Sequence, residues 1–232
     1  MKTKKVVFFI VEGQTDIDSL QQLFRKIYKG QSILFRFTHG DITSDTNIST
    51  ETINDIIYGY VKETLDEYGY YKNDIWQIIQ VFDMDGAYID DSCIFEDKEK
   101  DVFYYQDNGI FYKSKQSVIE RNQHKRELMD YLVDNVSDIE GIPYYTFFMS
   151  TDLDHAIHGL RNLSVEEKIK YADKFYDTYK NNTDGFIRLL KNDICPKQNH
   201  KTWKYIRERN LNSLSRCTNL GKYFNHNPIG YD

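Results

Sequence analysis

Three nearly unbroken apolar runs, Val6 to Val11, Ile75 to Phe82 and Tyr144 to Met149, set the strongest limit on how this chain can fold. A strand with one wet face alternates apolar and polar residues. A run that is apolar throughout is covered on both faces, as strands are in a parallel sheet between two helix layers. Gln31 to Phe37 reads as a fourth, shorter strand. Helical spacing fills the gaps between these runs. Ile17, Leu20, Leu23, Phe24 and Ile27 follow Thr15-Asp16, which can cap a helix, and Ile53, Ile56, Ile57, Tyr60, Val61 and Leu65 follow Ser49-Thr50-Glu51. Ser117 to Val136 carries Ile119, Leu128, Tyr131 and Leu132 on one side, and Thr151-Asp152 opens another helix.

Strands alternating with helices imply right-handed crossovers and a Rossmann-like α/β fold, with a parallel four-stranded sheet flanked by helices. That domain is expected over residues 1–160, with an irregular insertion at about 87–114 that contains a hairpin. Residues 161–232 are expected to form a helical extension with breaks near Asn181-Asn182 and Cys195-Pro196. Hydrophobic residues make up 40% of the chain, enough for a real core, and the 19 Tyr and 14 Phe make that core aromatic. No apolar run reaches the roughly 20 residues that span a bilayer, and Glu12 cuts the first run too short for a signal peptide. A cytoplasmic location with no membrane partner is the expectation. Cys93, Cys195 and Cys217 form no CxxC pair and read as free, mostly buried thiols.

The order of elements locates the chemistry. In parallel sheets ligands bind beyond the carboxyl ends of the strands. Glu12 ends the first strand, Asp83 and Asp85 end the third, and Ser150, Asp152 and Asp154 follow the fourth. Carboxylates crowded at one edge repel one another, and a hard divalent cation relieves that conflict. Oxygen-only ligands suit Mg²⁺ or Mn²⁺. Glu12 and Asp16, four apart across a strand-to-helix turn, can both aim inward, while the helix start offers N–H groups to a phosphate. Taken singly, Asp16 reads as a helix cap and Asp83 as a strand end. Together at two strand ends they read as a metal site.

Val11-Glu12-Gly13-Gln14-Thr15-Asp16, followed by Val81-Phe82-Asp83-Met84-Asp85-Gly86, resembles the Toprim superfamily, marked by a Glu after its first strand and an Asp-x-Asp after a later one. The resemblance covers roughly residues 5 to 160. The Glu-x-x-x-Asp form is most similar to the overcoming-lysogenization-defect (OLD) nucleases and the small RloB-like proteins of phage defence. It implies a metal-dependent nuclease that hydrolyses phosphodiester bonds of RNA or DNA, an effector of phage defence. It also implies that Glu12 and Asp16 hold one metal, Asp83 and Asp85 a second, and that Asp154 supplies the further acidic residue these relatives carry after strand four. Here that residue is Asp rather than Glu. No GxxxxGK[ST] occurs, so an ATPase partner, if used, is a separate protein. A homodimer is left open. The rival expectation is a Mg²⁺-dependent nucleic-acid or nucleotide binding module that does not cut and works with a partner protein.

Charge is unevenly spread. Residues 161–232 carry net +6 and residues 1–160 net -12, within an overall -6. Lys201, Lys204, Arg207 and Arg209 are the candidate nucleic-acid contacts, with Trp203 and Tyr205 among them, and a solvated helix face is the plainer reading. Tyr104, Tyr105, Phe111 and Tyr112 can stack bases or pack a hairpin on the core. His155 and His158, three apart beside Asp152 and Asp154, form a weaker transition-metal candidate or an acid–base pair.

Overall fold

The computed structural model describes residues 5–226. The first apolar run forms β1, Lys5–Val11, with Val6 through Val11 buried. Helix α1, Gln14–Ile27, starts behind Gly13 rather than behind Thr15, so Asp16 lies in its first turn. Strand β2, Ile33–His39, and helix α2, Ile53–Tyr68, lead into β3, Ile75–Asp83. The insertion contains β4, Ile94–Glu96, β5, Tyr104–Gln106, and β6, Gly109–Tyr112. Helix α3, Lys115–Asn135, precedes β7, Asp138–Ile139, and β8, Ile142–Met149. Beyond the sheet come the α-helices α4, Leu153–His158, α5, Val165–Tyr179, α6, Thr183–Arg188, α7, Trp203–Ile206, and α8, Tyr223–His226.

The main sheet runs β2-β1-β3-β8-β7. Its first four strands are mutually parallel, and β7 joins antiparallel to β8. The chain leaves β1 toward β2, then crosses back to β3 on the other side. The strand order therefore reverses between β1 and β3, and a crevice opens there at the carboxyl ends.

The expected sheet had four parallel strands; the fifth, antiparallel strand corrects it. Glu140 and Gly141 both have positive φ, 52° and 77°. That is the geometry of a two-residue hairpin turn, and it folds the short β7 onto β8.

Alternate residues of each strand face opposite helix layers. On one face Phe9 meets Phe24 of α1 and Tyr223 at ring distances of 4.9 and 5.5 Å. Phe24 also touches Phe186 and Phe224, so α6 and α8 close this aromatic core. On the other face Phe82 and Phe148 meet Trp203 edge-on. The segment beyond residue 160 thus wraps both faces of the sheet. It carries Phe186, Leu190, Ile206, Leu220 and Tyr223 into the same buried cluster as β1.

The insertion builds a three-stranded sheet, β4-β6-β5, with a β5–β6 hairpin. It packs over a separate small core of Ile89, Ile94, Ile110, Val118 and Leu214. Gly109 permits the tight approach: its φ is +154°, and a Cβ there would sit 1.9 Å from the Cys93 carbonyl.

The thiol expectation fails at two positions, because Cys195 and Cys217 are joined as a disulfide. Residues far apart in a pattern of three scattered cysteines gave no spacing signal for that pairing. Only Cys93 is free. No helix among the described residues is long and apolar enough to cross a membrane.

Candidate active site

All four parallel strands deliver carboxylates to one edge. Glu12 follows β1 and Asp16 opens α1, Asp41 follows β2, Asp83 ends β3 with Asp85 just beyond it, and Asp152 and Asp154 follow β8. The backbone is bent to hold them. Asp85 has φ 47° and Thr151 φ 48°, and the Asp85 N–H donates to the Thr151 carbonyl at 2.7 Å. A β-branched residue in the left-handed region is a true outlier, and such strain collects at functional sites. Glu12 is pinned by the Asp83 N–H, which donates to its Oε1 at 3.1 Å.

These groups divide into two halves. In the first, the Lys125 ammonium on α3 reaches Asp85 Oδ2 at 2.6 Å and Glu12 Oε1 and Oε2 at 3.2 and 3.1 Å, with Asp41 at 4.0 Å. Lys125 is 0% exposed. Arg121 lies 3.7 Å from Asp85 and donates to its carbonyl, and the Tyr105 hydroxyl donates to Asp85 Oδ1 at 3.3 Å. In the second half, Lys168 of α5 stands 3.4 Å from Asp152 and 3.5 Å from Asp154. Asp16 accepts the Gly13 N–H at 2.9 Å. Asp83 lies between the halves, and no described side chain or N–H pairs with its carboxylate.

Electrostatics follow this division. Burial first, then Asp41 and Asp85, push Glu12 up to about 8 against the pull of Lys125. Burial lifts Asp16 to about 7, with Asp154 and Asp152 adding to it. Burial and then Asp16, Glu12, Asp152 and Asp85 hold Asp83 well above the carboxylate range. Asp85 is depressed despite burial, because Lys125 and Arg121 face it. Seven carboxyl groups face Lys125, Lys168 and Arg121, and burial with mutual repulsion holds Glu12, Asp16 and Asp83 toward their protonated forms.

A pH dependence follows. Glu12 and Asp16 bind protons more tightly folded than unfolded, so between their ordinary range near 4 and their folded values the native state holds more protons. Stability must then fall as pH rises. Buried His155, lowered to about 4, works the other way, but only below its ordinary 6.5. From about pH 6.5 to 8.5, urea unfolding in EDTA is therefore expected to show declining stability, by at most about 1.4 kcal/mol per pH unit per group. A flat or rising profile over that window would show the carboxylates to be ionised without strain.

By donor chemistry the cluster fits a hard divalent cation: oxygen ligands, surplus negative charge and an unpaired carboxylate at its centre. As the side chains stand, no three His, Cys, Asp or Glu among the described residues are placed to grip one ion. Lys125 and Lys168 occupy the spaces between them.

Sequence reasoning grouped Glu12, Asp16, Asp83, Asp85 and Asp154 at one edge, and the structure brings them there. It missed Lys125, Lys168, Arg121 and Asp41. One signal for Lys125 was readable, since it falls in the buried α3 stripe of Val118, Asn122, Leu128, Met129 and Leu132. A lysine in such a stripe needs a carboxylate partner.

The four residues of the basic segment differ in exposure, with Lys204 and Arg209 exposed and Arg207 half-buried. Lys201 is buried, 3% exposed, and its ammonium donates to the Lys191 carbonyl. Arg207 grips Asp134 through both carboxylate oxygens and pairs with Asp130. Arg209 pairs with Asp91. Lys201 and Lys204 are in no ion pair among the described residues, and only Lys204 of these two is exposed. Arg207 and Arg209 thus dock on carboxylates of the acidic body. Trp203 packs on the sheet and Tyr205 stacks on His200. Tyr104, Phe111 and Tyr112 likewise pack within the insertion, under Lys100, Phe95 and Phe103. His155 is buried and neutral, facing Arg161 and Arg216, and His158 packs against Tyr171 and Phe175. Neither ring pairs with the acidic cluster. Compared with protein-family models, with curated proteins and with solved structures, the chain matches none.

Proposed function

We propose that this chain is a divalent-metal-dependent phosphodiesterase of the Toprim kind that hydrolyses RNA or DNA. The observation that carries the reading is the convergence of carboxylates from all four parallel strands on the crevice where strand order reverses, with Asp83 unpaired at its centre. Glu12, Asp16, Asp83, Asp85 and Asp154 are the residues that would hold Mg²⁺ or Mn²⁺. Such an ion, when bound, polarises a phosphoryl oxygen and lowers the pKa of water. The chain's own groups supply the rest. Arg121 places positive charge on the Asp85 side of the crevice, where it can face a phosphate, and the buried Lys125 holds Glu12 and Asp85 in place. Glu12, held by the Asp83 N–H, is positioned to orient an attacking water and accept its proton.

A binding module that does not cut is the second reading. It is favoured by Lys125 and Lys168, which already pair with five of the carboxylates once Asp41 is included. End-labelled single- and double-stranded RNA and DNA, incubated with Mg²⁺, Mn²⁺ or EDTA, separate the two. Cleavage that needs metal and stops in EDTA is expected. Retention of a substrate without cleavage would support the binding module, and EDTA-resistant cleavage would overturn the metal reading.

A further inference from the structure

Three lysines meet at a small cavity where the segment after α6 folds back on itself. The helix passes into a π-turn, Leu189–Asp193, and the chain then reaches Cys195-Pro196. In a π-turn the donor to the carbonyl of residue 191 is the N–H five residues on, and here that residue is Pro196, which has none. The Lys201 ammonium donates to that carbonyl instead. Lys222 donates in the same way to the carbonyl of Lys201. Gly221 lets the two stretches close, because a Cβ there would collide with the Leu190 carbonyl. The Cys195–Cys217 disulfide ties the stretch before Lys201 to the stretch before Lys222.

Capping a carbonyl uses one hydrogen of each ammonium and leaves its charge unpaired. Covering an unpaired charge is costly, so a counter-ion is called for. Lys201 is 3% exposed, and burial, then Lys222, lower its pKa. Burial lowers Lys222 as well. Lys191, Lys201 and Lys222 are in no ion pair among the described residues. Asp193 and Glu208 are the acids of residues 189–226, and both are turned elsewhere. Asp193 lies 3.6 Å from Arg188, and Glu208 accepts from Asn210 and Asn212. Between the lysines lies a cavity of about 110 Å³, lined also by Asn192, Gln198 and Asn225. At about 30 Å³ per water it has room for a few waters or for one tetrahedral oxyanion. Its polar side chains are ammoniums and amides, all able to donate, and no carboxylate lines it.

We propose that this cavity is a phosphate site, which takes a terminal phosphate group, either free or at the end of a nucleotide or strand. A terminal phosphate carries nearly two negative charges at neutral pH, enough to neutralise two covered ammoniums together. Lys191 and the three amides can complete its oxygens. The cavity is too small for a base or sugar, which would stay outside. A diester carries one charge and must leave on two sides. None of the lining residues belongs to the acidic edge, so the assignment does not depend on the metal reading.

Calorimetric titration of the full chain with inorganic phosphate, in EDTA at constant ionic strength, tests it. The wild type is expected to bind one phosphate per chain and to unfold at a higher temperature in its presence. Phosphate also stabilises proteins generally by exclusion from their surface, so the variants decide. Lys191→Met and Lys222→Met are each expected to lose about tenfold in affinity, as for one charge-assisted hydrogen bond. Lys170→Met, exposed on α5, is expected to bind as the wild type does. The Lys191 side chain makes no hydrogen bond among the described residues, so Lys191→Met decides should Lys222→Met not fold. No saturable binding, or unchanged affinity in the folded variants, would overturn the site and leave the lysines as caps of carbonyls. Displacement of phosphate by an oligonucleotide with a terminal phosphate, and not by the same strand ending in hydroxyls, would support a strand end as the source. Displacement by neither, with phosphate still bound, would support a small phosphate. Displacement by both would mean that the diester backbone binds, and would overturn the terminal-phosphate assignment.

Discussion

Glu12→Gln is expected to fold normally and to lose hydrolysis by about 10²–10⁴-fold, the range a positioned acid–base group contributes. The substitution keeps size and leaves an oxygen to accept the Asp83 N–H. It removes the charge that Glu12 carries when an ion is bound and weakens its contact with Lys125. The fold has little reason to suffer. Glu12 already holds its proton up to about 8, so a neutral amide resembles one of its native states. Loss of the Lys125 contact is the cost, and Asp85 at 2.6 Å retains that ammonium. Single-turnover cleavage and thermal unfolding of the same preparation check both halves of the expectation. Near-normal cleavage would remove Glu12 from the chemistry. A structural Glu12 would show the reverse pattern, with lost stability and residual activity in the protein still folded.

Asp83→Asn should separate stability from function even more clearly. Asp83 carries a carboxylate that four acidic neighbours oppose and that no described group pairs with. Its neutral isostere ends that repulsion, so the metal-free variant is expected to be more stable than the wild type at pH 8, by about 1–2 kcal/mol. The same change removes the central oxygen donor of the proposed ion and should abolish cleavage. Active sites hold charge that the fold alone would not choose, and a gain in stability with loss of activity is the signature of that trade. Urea unfolding in EDTA measures the first effect. A destabilised Asp83→Asn would mean that the carboxylate has a structural partner in the native protein.

The sheet was legible because burial on both faces is written in composition. Val6 to Val11 carries no polar residue, and only a strand covered by two helix layers tolerates that. The carboxylate cluster was legible for a related reason: once the strands are placed, Glu12, Asp83 and Asp154 must share their carboxyl edge. The cations were legible only in part. Lys125 falls in the buried stripe of α3, which calls for a carboxylate partner without saying which, and Lys168 reaches the cluster from a partly exposed position on α5 that carries no such mark. In the basic segment, net charge counts residues without counting their partners. Arg207 and Arg209 sit in the sequence far from Asp134 and Asp91, which neutralise them. The short β7 escaped because two residues carry no pattern, although Glu140-Gly141 before Ile142 is a turn signal in retrospect.

The central claim is that the crevice between β1 and β3 is a divalent-metal site. Thermal unfolding of the wild type across a Mn²⁺ series, with Asp83→Asn alongside, tests it most directly, because an ion that binds only the native state raises stability by mass action. The expected result is a wild-type midpoint that climbs steadily with the logarithm of Mn²⁺ concentration, and a variant midpoint that starts higher and does not move. A wild-type midpoint indifferent to Mn²⁺ into the millimolar range would contradict the claim and leave the cluster a set of carboxylates that Lys125 and Lys168 neutralise by themselves.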